Sequence, residues 1–433
     1  MKLTLQQNTT VGRAVTCAPL VGSRASTGAH GATRPTRVAH LALALVSAFI
    51  FQPLALFGQG SLTPPGAPAP TMKTLAQVEP RTPVSALPCA ITNAGSYYLT
   101  TNLIGVSGAS GITITASNVT LDLNGFALIG VPGSVHGIQV ASGATGLCVR
   151  NGVIRRWGSR GVDAEGSDGA VFEDLRVLDN GSWGLASGQR SVVRNCTAIK
   201  NRGRGIAVDY HSVVTGCLAA ETDGDGFFSP NGVTMRDCLA MNNAGNGFTP
   251  AGVSVLTGCT SRDNWGAGFW VGDGSSVVNC TATANGGPGV WAGLSTVVKD
   301  CSLKNNGNGG VVAQDNCTIR NCVVRQNAGP GGIEVQSACL VLDNTCFEHG
   351  DEGNHVPGIR VRGGGNRIEA NNVCSNRVGI VVEGTGNFVF RNTAIGNTFG
   401  NYTNAPGNVV GQILNVTGGA TVTNANPWAN FSY

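Results

Sequence analysis

Cysteine recurs every 21 residues through the middle of this chain, and this spacing constrains the fold more than any other feature of the sequence. The repeated positions are Cys196, Cys217, Cys238, Cys259, Cys280, Cys301 and Cys322. Other columns keep the same step, among them Asn243, Asn264 and Asn285, and Gly226, Gly247 and Gly268. Several columns with one period indicate an array of structural repeats.

Within a repeat, such as residues 192–208, apolar residues alternate over a few positions before a turn rich in Gly and Asn. This pattern is typical of short strands, and no stretch of ten residues has helical periodicity. Like residues one coil apart stack as parallel strands about 4.8 Å apart. The sequence therefore predicts an all-β fold, a single-stranded parallel β-helix (solenoid) of about a dozen coils. The Asn column is expected to form a hydrogen-bonded ladder.

The N-x-G-x-G turns, the Asn column and the segment NVTLDLNGFALIG at 118–130 resemble the right-handed parallel β-helix repeat proteins, the group that includes pectate lyases and polygalacturonases. The resemblance covers about residues 96–415 and implies a right-handed coil. It would imply polysaccharide cleavage if the catalytic motifs were present. The polygalacturonase motifs are absent, and their nearest fragments are His136-Gly137 and Arg367-Ile368-Glu369. The resemblance therefore specifies the fold and leaves the reaction open.

An apolar run at 38–57 follows Arg34 and Arg37. Its uninterrupted part is shorter than the ~20 residues of a membrane span, so it predicts a signal peptide, with an uncleaved anchor as the alternative. A secreted, periplasmic or cell-surface protein with no membrane span in the mature chain is expected. The predicted organisation is a leader at 1–60, a Pro-rich tether at 61–72, an N-terminal cap at 73–104, the β-helix at 105–415 and a C-terminal cap at 416–433.

The net charge of +4 comes from the leader, where five basic residues face no acidic one. The rest of the chain is close to neutral, which gives nucleic-acid binding no electrostatic support. The expected partner is a polysaccharide or another cell-surface polymer. The sequence leaves the oligomeric state open.

Disulfides are the first interpretation of many cysteines in an exported chain. However, neighbouring in-register strands hold their Cβ atoms farther apart than a disulfide prefers. A buried column of free thiols that act as small apolar groups is therefore the favoured prediction.

One outward position of the repeat places Trp270 beside Trp291, with Phe228 two coils away. Aromatic side chains in line on an exposed face are typical of a binding surface, and sugar rings stack well on them. The alternative is that a terminal segment or a partner subunit covers these rings.

Coil stepping places Arg202 near Asp223 and Arg204 near Asp225. Surface ion pairs are the favoured interpretation. The alternative is an oxygen-rich calcium site of Glu221, Asp223 and Asp225, or a catalytic centre of Asp223, Asp225 and Arg204. No cofactor is required by the sequence, and calcium is the candidate ion.

The 21-residue step breaks once, because Asn344 aligns with Asn371 at 27 residues. The extra residues fall near 347–356, the densest group of ionisable side chains in the chain. A solvated loop is favoured, and a metal site or an acid–base pair is the alternative. The candidates are Glu348, His349, Asp351, Glu352 and His355.

Three functions follow from these observations. The first is an exported β-helix that binds polysaccharide along its long face without catalysis. The second is a polysaccharide lyase or glycoside hydrolase that acts on acidic polysaccharide. The third is a structural or adhesive surface protein.

Overall fold

The short alternating runs of the sequence form short strands that pair in parallel from one coil to the next. Val193, Val214 and Met235, each one repeat apart, are paired in register. The computed structural model describes residues 73, 78–350, 356–416, 423 and 426–433, and every element within them is a β-strand. The strands belong to two sheets of 15 and 30 strands.

The 15-stranded sheet receives one strand from each coil. Its strands are Cys89–Ile91, Ile112–Ile114, Ile138–Val140, Val162–Asp168, Leu185–Gln189, Ile206–Ala207, Phe227–Ser229, Phe248–Pro250, Phe269–Val271, Val290–Ala292, Val311–Ala313, Ile333–Val335, Pro357–Val361, Val378–Val382 and Tyr402–Asn404.

The 30-stranded sheet receives two strands from most coils. Its strands are Thr82–Val84, Gly95–Leu99, Leu103–Ile104, Val119–Asp122, Ala127–Ile129, Cys148–Arg155, Val171–Leu178, Val192–Arg194, Thr197–Ile199, Val213–Thr215, Leu218–Ala220, Thr234–Arg236, Leu239–Met241, Val255–Thr257, Thr260–Arg262, Ser276–Val278, Thr281–Thr283, Val297–Lys299, Ser302–Lys304, Thr318–Arg320, Val323–Arg325, Leu340–Leu342, Thr345–Phe347, Arg367–Glu369, Asn372–Cys374, Phe388–Phe390, Thr393–Ile395, Val409–Val410, Ile413–Asn415 and Asn430–Ser432.

This arrangement is a parallel β-solenoid, and the predicted fold is confirmed. The expectation of about a dozen coils is roughly right, since the smaller sheet has 15 strands. Inward side chains of successive coils stack on each other, as the rings of Phe227, Phe248 and Phe269 do at centroid distances of 4.8 and 4.9 Å.

The cysteines of the 21-residue column are buried at a turn between two strands of the larger sheet. All 13 cysteines among the described residues are free thiols. The column therefore fills the interior as small apolar side chains, as the strand spacing predicts.

The Asn column forms the expected ladder along another turn. Asn243 donates from Nδ2 to Oδ1 of Asn264 at 2.9 Å, and Asn264 donates likewise to Asn285 at 2.9 Å. The backbone N–H of Asn243 also donates to Oδ1 of Asn264, at 3.0 Å. The ladder thus satisfies buried polar groups of the turn without water.

The longer step near residue 350 leaves the register of its neighbours intact. Asn344 donates from Nδ2 to Oδ1 of Asn371 at 3.0 Å across 27 residues, and Asn371 donates to Asn392 at 3.0 Å across 21. Ile333 pairs with Ile359 across 26 residues and Leu340 with Arg367 across 27, so the extra residues fall at two turns and both sheets stay in register.

Both ends of the solenoid carry strands. The segment 73–104 supplies strands to both sheets, beginning with Thr82–Val84. At the other end, Oδ1 of Asn430 accepts a hydrogen bond from Nδ2 of Asn392 at 3.2 Å. The leader at 1–60, with its apolar run at 38–57, and the tether at 61–72 lie outside the described residues. Within the part that is described, no helix has the length and apolar character needed to cross a membrane.

Candidate functional site

The candidate site lies on the outer face of the 15-stranded sheet. In the strand Phe269–Val271, Phe269 and Val271 are buried and Trp270 between them points outward, because side chains alternate along a strand. The outward positions are paired in register from coil to coil. In order they are Ala207, Phe228, Thr249, Trp270, Trp291 and Val312. Their predicted order along this face is confirmed.

Trp270 and Trp291 form a flat stacked pair. Their ring centroids are 4.2 Å apart and the ring planes differ by 7°. Trp270 is 41% exposed. Each ring covers one face of the other, so the pair presents its edges and its two outer faces along the solenoid. Such a pair contributes about 0.5–1.5 kcal/mol beyond the area it buries.

A second stack, which the sequence did not predict, lies upstream of Phe228. The Arg204 guanidinium lies 3.3 Å from the Phe228 ring centroid and 4.8 Å from that of Trp183. Arg160 covers Trp183 at 4.4 Å. The outward residues beneath, Ala186 and Ala207, are buried and small, which leaves room for this stack. Cations and aromatic rings therefore alternate along this part of the face.

Arg204 is a partly desolvated cation. Burial lowers its pKa, and the charges of Asp225 and Glu165 oppose that change. Nε of Arg204 lies 3.8 Å from Oδ2 of Asp225, as coil stepping predicts. Arg202 and Asp223 form no ion pair within the described part of the chain. Loss of water strengthens the attraction of Arg204 for the two rings.

Two hollows open along the same face. One, of about 330 Å³, is lined by Glu165, Trp183, Asp209 and Phe228. The other, of about 480 Å³, is lined by Asn231, Thr249, Trp270 and Asp273. Aromatic walls with a few polar groups are the usual lining of a binding site for small polar rings.

A cluster of ionisable side chains borders the 330 Å³ hollow. Nη1 of Arg160 lies 2.8 Å from Oδ1 of Asp163 and 2.7 Å from Oε2 of Glu165. Nε2 of His136 lies 3.5 Å from Oδ2 of Asp163. Burial lowers the pKa of His136, although Asp163 opposes the change. His136 is therefore neutral near pH 7.

The fold and these columns agree with the comparison to known families. A family model described as right handed beta helix region matches residues 102–254 and 251–347, more than half of the chain. The chain belongs to the right-handed β-helix family.

Solved structures share this β-helix architecture at low identity. The A-module of mannuronan C-5 epimerase AlgE6 from Azotobacter vinelandii is 16% identical, with a TM-score of 0.49 over 73% of this chain and 90% of that one. Pectate lyase Pel9A is 20% identical, with a TM-score of 0.33 over 50% of this chain and 70% of that one. The catalytic domain of GH87 alpha-1,3-glucanase in complex with nigerose is 15% identical, with a TM-score of 0.35 over 66% of this chain and 63% of that one. No curated protein matches the sequence.

The structure does not gather the candidate calcium ligands of this β-helix into one group. Glu221 lies 3.7 Å from Lys200, and Oδ1 of Asp225 accepts the N–H of Asn246 at 2.9 Å. Among the described residues, no three His, Cys, Asp or Glu side chains come together as a metal site would require.

The candidate metal-binding or acid–base residues near the longer turn also lie apart from one another. Glu348 is on the surface, with its carboxylate 2.8 Å from Arg325. His349 is 1% exposed and occupies the Asn column, where its Nδ1 accepts the N–H of Asn327 at 3.1 Å. Asp351, Glu352 and His355 lie outside the described residues. Glu348 and His349 therefore cannot serve one site together.

The repeat spacing of the sequence contained a signal for the contact between Trp183 and Arg204. Trp183 is one repeat before Arg204, so the coil stepping that pairs Arg204 with Asp225 also places Trp183 beside it. His136 and Asp163 carried no such signal, because the coils that join residues 138, 162 and 185 are longer than 21 residues.

Proposed function

We propose that this β-helix binds a polysaccharide, or another surface polymer, along the outer face of its 15-stranded sheet without cleaving it. The stacked pair of Trp270 and Trp291 is the observation that carries the proposal. A monomeric surface seldom exposes coplanar aromatic rings in line unless a ligand or partner covers them. The C–H face of a pyranose is apolar, and it packs against the electron-rich face of an aromatic ring.

The extended shape of the face suits a polymer. The Arg160–Trp183–Arg204–Phe228 stack and the Trp270–Trp291 pair follow one another along the solenoid axis. A linear glycan that lies along the axis would meet both in turn. Export, as the run at 38–57 predicts, would place this face where surface polysaccharides occur.

Affinity electrophoresis through gels that contain a panel of glycans tests the proposal. Trp270→Ala and Trp291→Ala should each weaken retention roughly tenfold, since each removes an aromatic anchor. Trp265→Ala is the matched control, because Trp265 is 81% exposed at a turn outside the outward column. Equal retention of all four proteins would contradict the proposal, and retention by no glycan would favour a structural or adhesive role.

A specific observation favours a carbohydrate-active enzyme as the second candidate. Glu165 and Asp209 line the 330 Å³ hollow, beside the group of His136, Asp163 and Arg160. Carboxylates that border a sugar-sized hollow are the groups that glycoside cleavage uses. Release of unsaturated products from polygalacturonate would support a lyase. Loss of that release in Glu165→Gln or Asp209→Asn would place the centre in this hollow, and loss in Asp223→Ala would place it at 221–225.

A further inference from the structure

The aromatic column on the outer face has one vacant position, at Thr249. Arg204 covers the upstream face of Phe228, and Trp291 covers the downstream face of Trp270. Thr249 is paired with Phe228 in the coil between them. The free faces of Phe228 and Trp270 therefore look toward each other across the Thr249 coil.

The spacing of this vacancy matches one six-membered ring. Coils are about 4.8 Å apart, so the two free faces are separated by roughly 9.6 Å. The inner face of the same three coils contains such a ring. There, Phe248 lies between Phe227 and Phe269 at centroid distances of 4.8 and 4.9 Å. On the outside, the residue after Phe248 is Thr249, which carries no ring and whose Oγ1 accepts a hydrogen bond from Nδ2 of Asn246 at 3.3 Å.

Polar groups beside the vacancy are hydrogen-bond acceptors. Asn231 lines the 480 Å³ hollow, and its buried Oδ1 atom has no hydrogen-bond donor among the described residues. Asp273 lines the same hollow, and its Oδ1 accepts the N–H of Leu294 at 2.8 Å, which leaves a second carboxylate oxygen. A buried acceptor without a partner is unfavourable until a donor reaches it.

The wall of the hollow also contains a strained residue. Val253 has a φ of 42° at a turn position where φ is positive in successive coils, as at His211 and Ser295, and Val253 is the β-branched residue of this column. A β-branched side chain in this left-handed region is unfavourable, and such strain concentrates at ligand sites. Val253 is 67% exposed, so burial in the core does not explain its presence.

We propose that the Thr249 position receives one pyranose ring that carries no carboxylate, as a subsite of the polysaccharide-binding face proposed above. The ring lies between Phe228 and Trp270, and its hydroxyl groups donate to Asn231 and Asp273. A uronate is disfavoured, because its carboxylate would meet the negative charge of Asp273 and the electron-rich faces of two aromatic rings.

Filling the vacancy from the protein side tests this inference. Thr249→Phe should place a ring where the ligand ring binds, so retention on neutral glucan gels should fall at least tenfold. Thr403→Phe is the matched control, since Thr403 is in the same sheet, two coils beyond Arg360. Far-UV circular dichroism checks that each variant folds.

The probes are cello-oligosaccharides, chitosan oligosaccharides and oligogalacturonate, each followed by Trp fluorescence. Binding of the first or second with loss in Thr249→Phe supports the inference. Binding that Thr249→Phe leaves unchanged and Trp291→Ala weakens would overturn the subsite and keep the proposed function. Binding of oligogalacturonate alone would also overturn the subsite. Binding of no glycan by the unmodified protein would overturn both.

Discussion

Two regions of the solenoid differ in the type of side chain that is buried at one turn of each coil. From Cys196 to Cys322 the buried position is a thiol, whereas Asn344, Asn371, Asn392 and Asn430 occupy it downstream. In the amide region the side chains accept the backbone N–H of the preceding coil, and in the thiol region Cys217 does so. The distance is 3.4 Å from Cys196 N to Cys217 Sγ and 3.0 Å from Asn344 N to Asn371 Oδ1.

The two regions differ in how strongly the turn is bonded. Cys217 and Cys238 lie 3.6 and 3.7 Å from carbonyl oxygens of the preceding coil and 3.4 and 3.1 Å from those of Thr215 and Arg236, and a thiol is a weak donor to either. Asn371 donates to the carbonyl oxygen of Val341 at 2.8 Å and also to the next Asn. The thiol column therefore acts through packing, and the amide column is a buried network that depends on every member.

The largest expected effect is the loss of one amide. Asn371→Ala removes the acceptor of the Asn344 N–H and of its Nδ2, and it removes the side-chain donor to the Val341 carbonyl. At about 1–3 kcal/mol for each unsatisfied group, unfolding should become easier by roughly 3–5 kcal/mol. Chemical denaturation followed by circular dichroism measures the change.

Cys259→Ala is the control for that variant in the thiol region. It removes one buried sulfur and should cost only about 1–2 kcal/mol. If both variants lost the same stability, the distinction between a packed column and a hydrogen-bonded column would be wrong.

The next effect concerns pH at the junction of the two regions. His349 follows Asn327 in the Asn ladder of the other turn, the one that contains Asn243 and Asn264. Its Nδ1 accepts the Asn327 N–H at 3.1 Å, and its Nε2 lies 3.0 Å from the Val324 carbonyl oxygen. Both contacts require the neutral ring with its proton on Nε2. Burial lowers the pKa of His349 from 6.5 to about 4, opposed by the nearby carbonyl oxygens of Asn327 and Val324.

Because the folded-state pKa is the lower one, protonation favours the unfolded chain. The contribution of His349 to stability should be complete above about pH 6.5 and lost as the pH falls toward 4, by about 3 kcal/mol in total. His349→Asn should lack this component, since an amide fits the ladder at every pH. Denaturation midpoints of both proteins at pH 7 and pH 4.5 check this, and parallel losses would count against it.

The smallest effect should come from moving the boundary between the regions. Cys322 already donates its N–H to Oδ1 of Asn344 at 2.9 Å. Cys322→Asn would extend the amide column by one coil and should stabilise the fold by about 1 kcal/mol. Cys259→Asn, between two thiols, gains no amide partner and should be neutral or destabilising. Thermal unfolding of the pair measures the difference, and an equal shift would show that neighbouring amides do not matter.

The sequence predicted the features that follow from strict repetition. Spacing alone was sufficient to place Trp270 beside Trp291, to predict the Asn ladder and to pair Asn344 with Asn371 across the longer step. The contacts that spacing could not predict depend on the direction in which each side chain points. The Trp183–Arg204 stack exists because Ala186 and Ala207 leave room above the sheet, and residue type alone does not show which way an Arg turns.

His349 illustrates the same limit. Its neighbours Glu348 and Asp351 made it a candidate ligand in the sequence, but its backbone position belongs to the Asn column, which directs the ring inward. A count of 22 residues from Asn327 contained that information. One extra residue in that coil concealed it.

Each coil meets the coil before it and the coil after it through the same contacts, so the coding unit for one coil can be copied or deleted without a new interface. Chain length can then change in whole steps, and each step would lengthen or shorten the outer face of the 15-stranded sheet while the cross-section stays the same. Selection could therefore change the length of the solenoid independently of its cross-section.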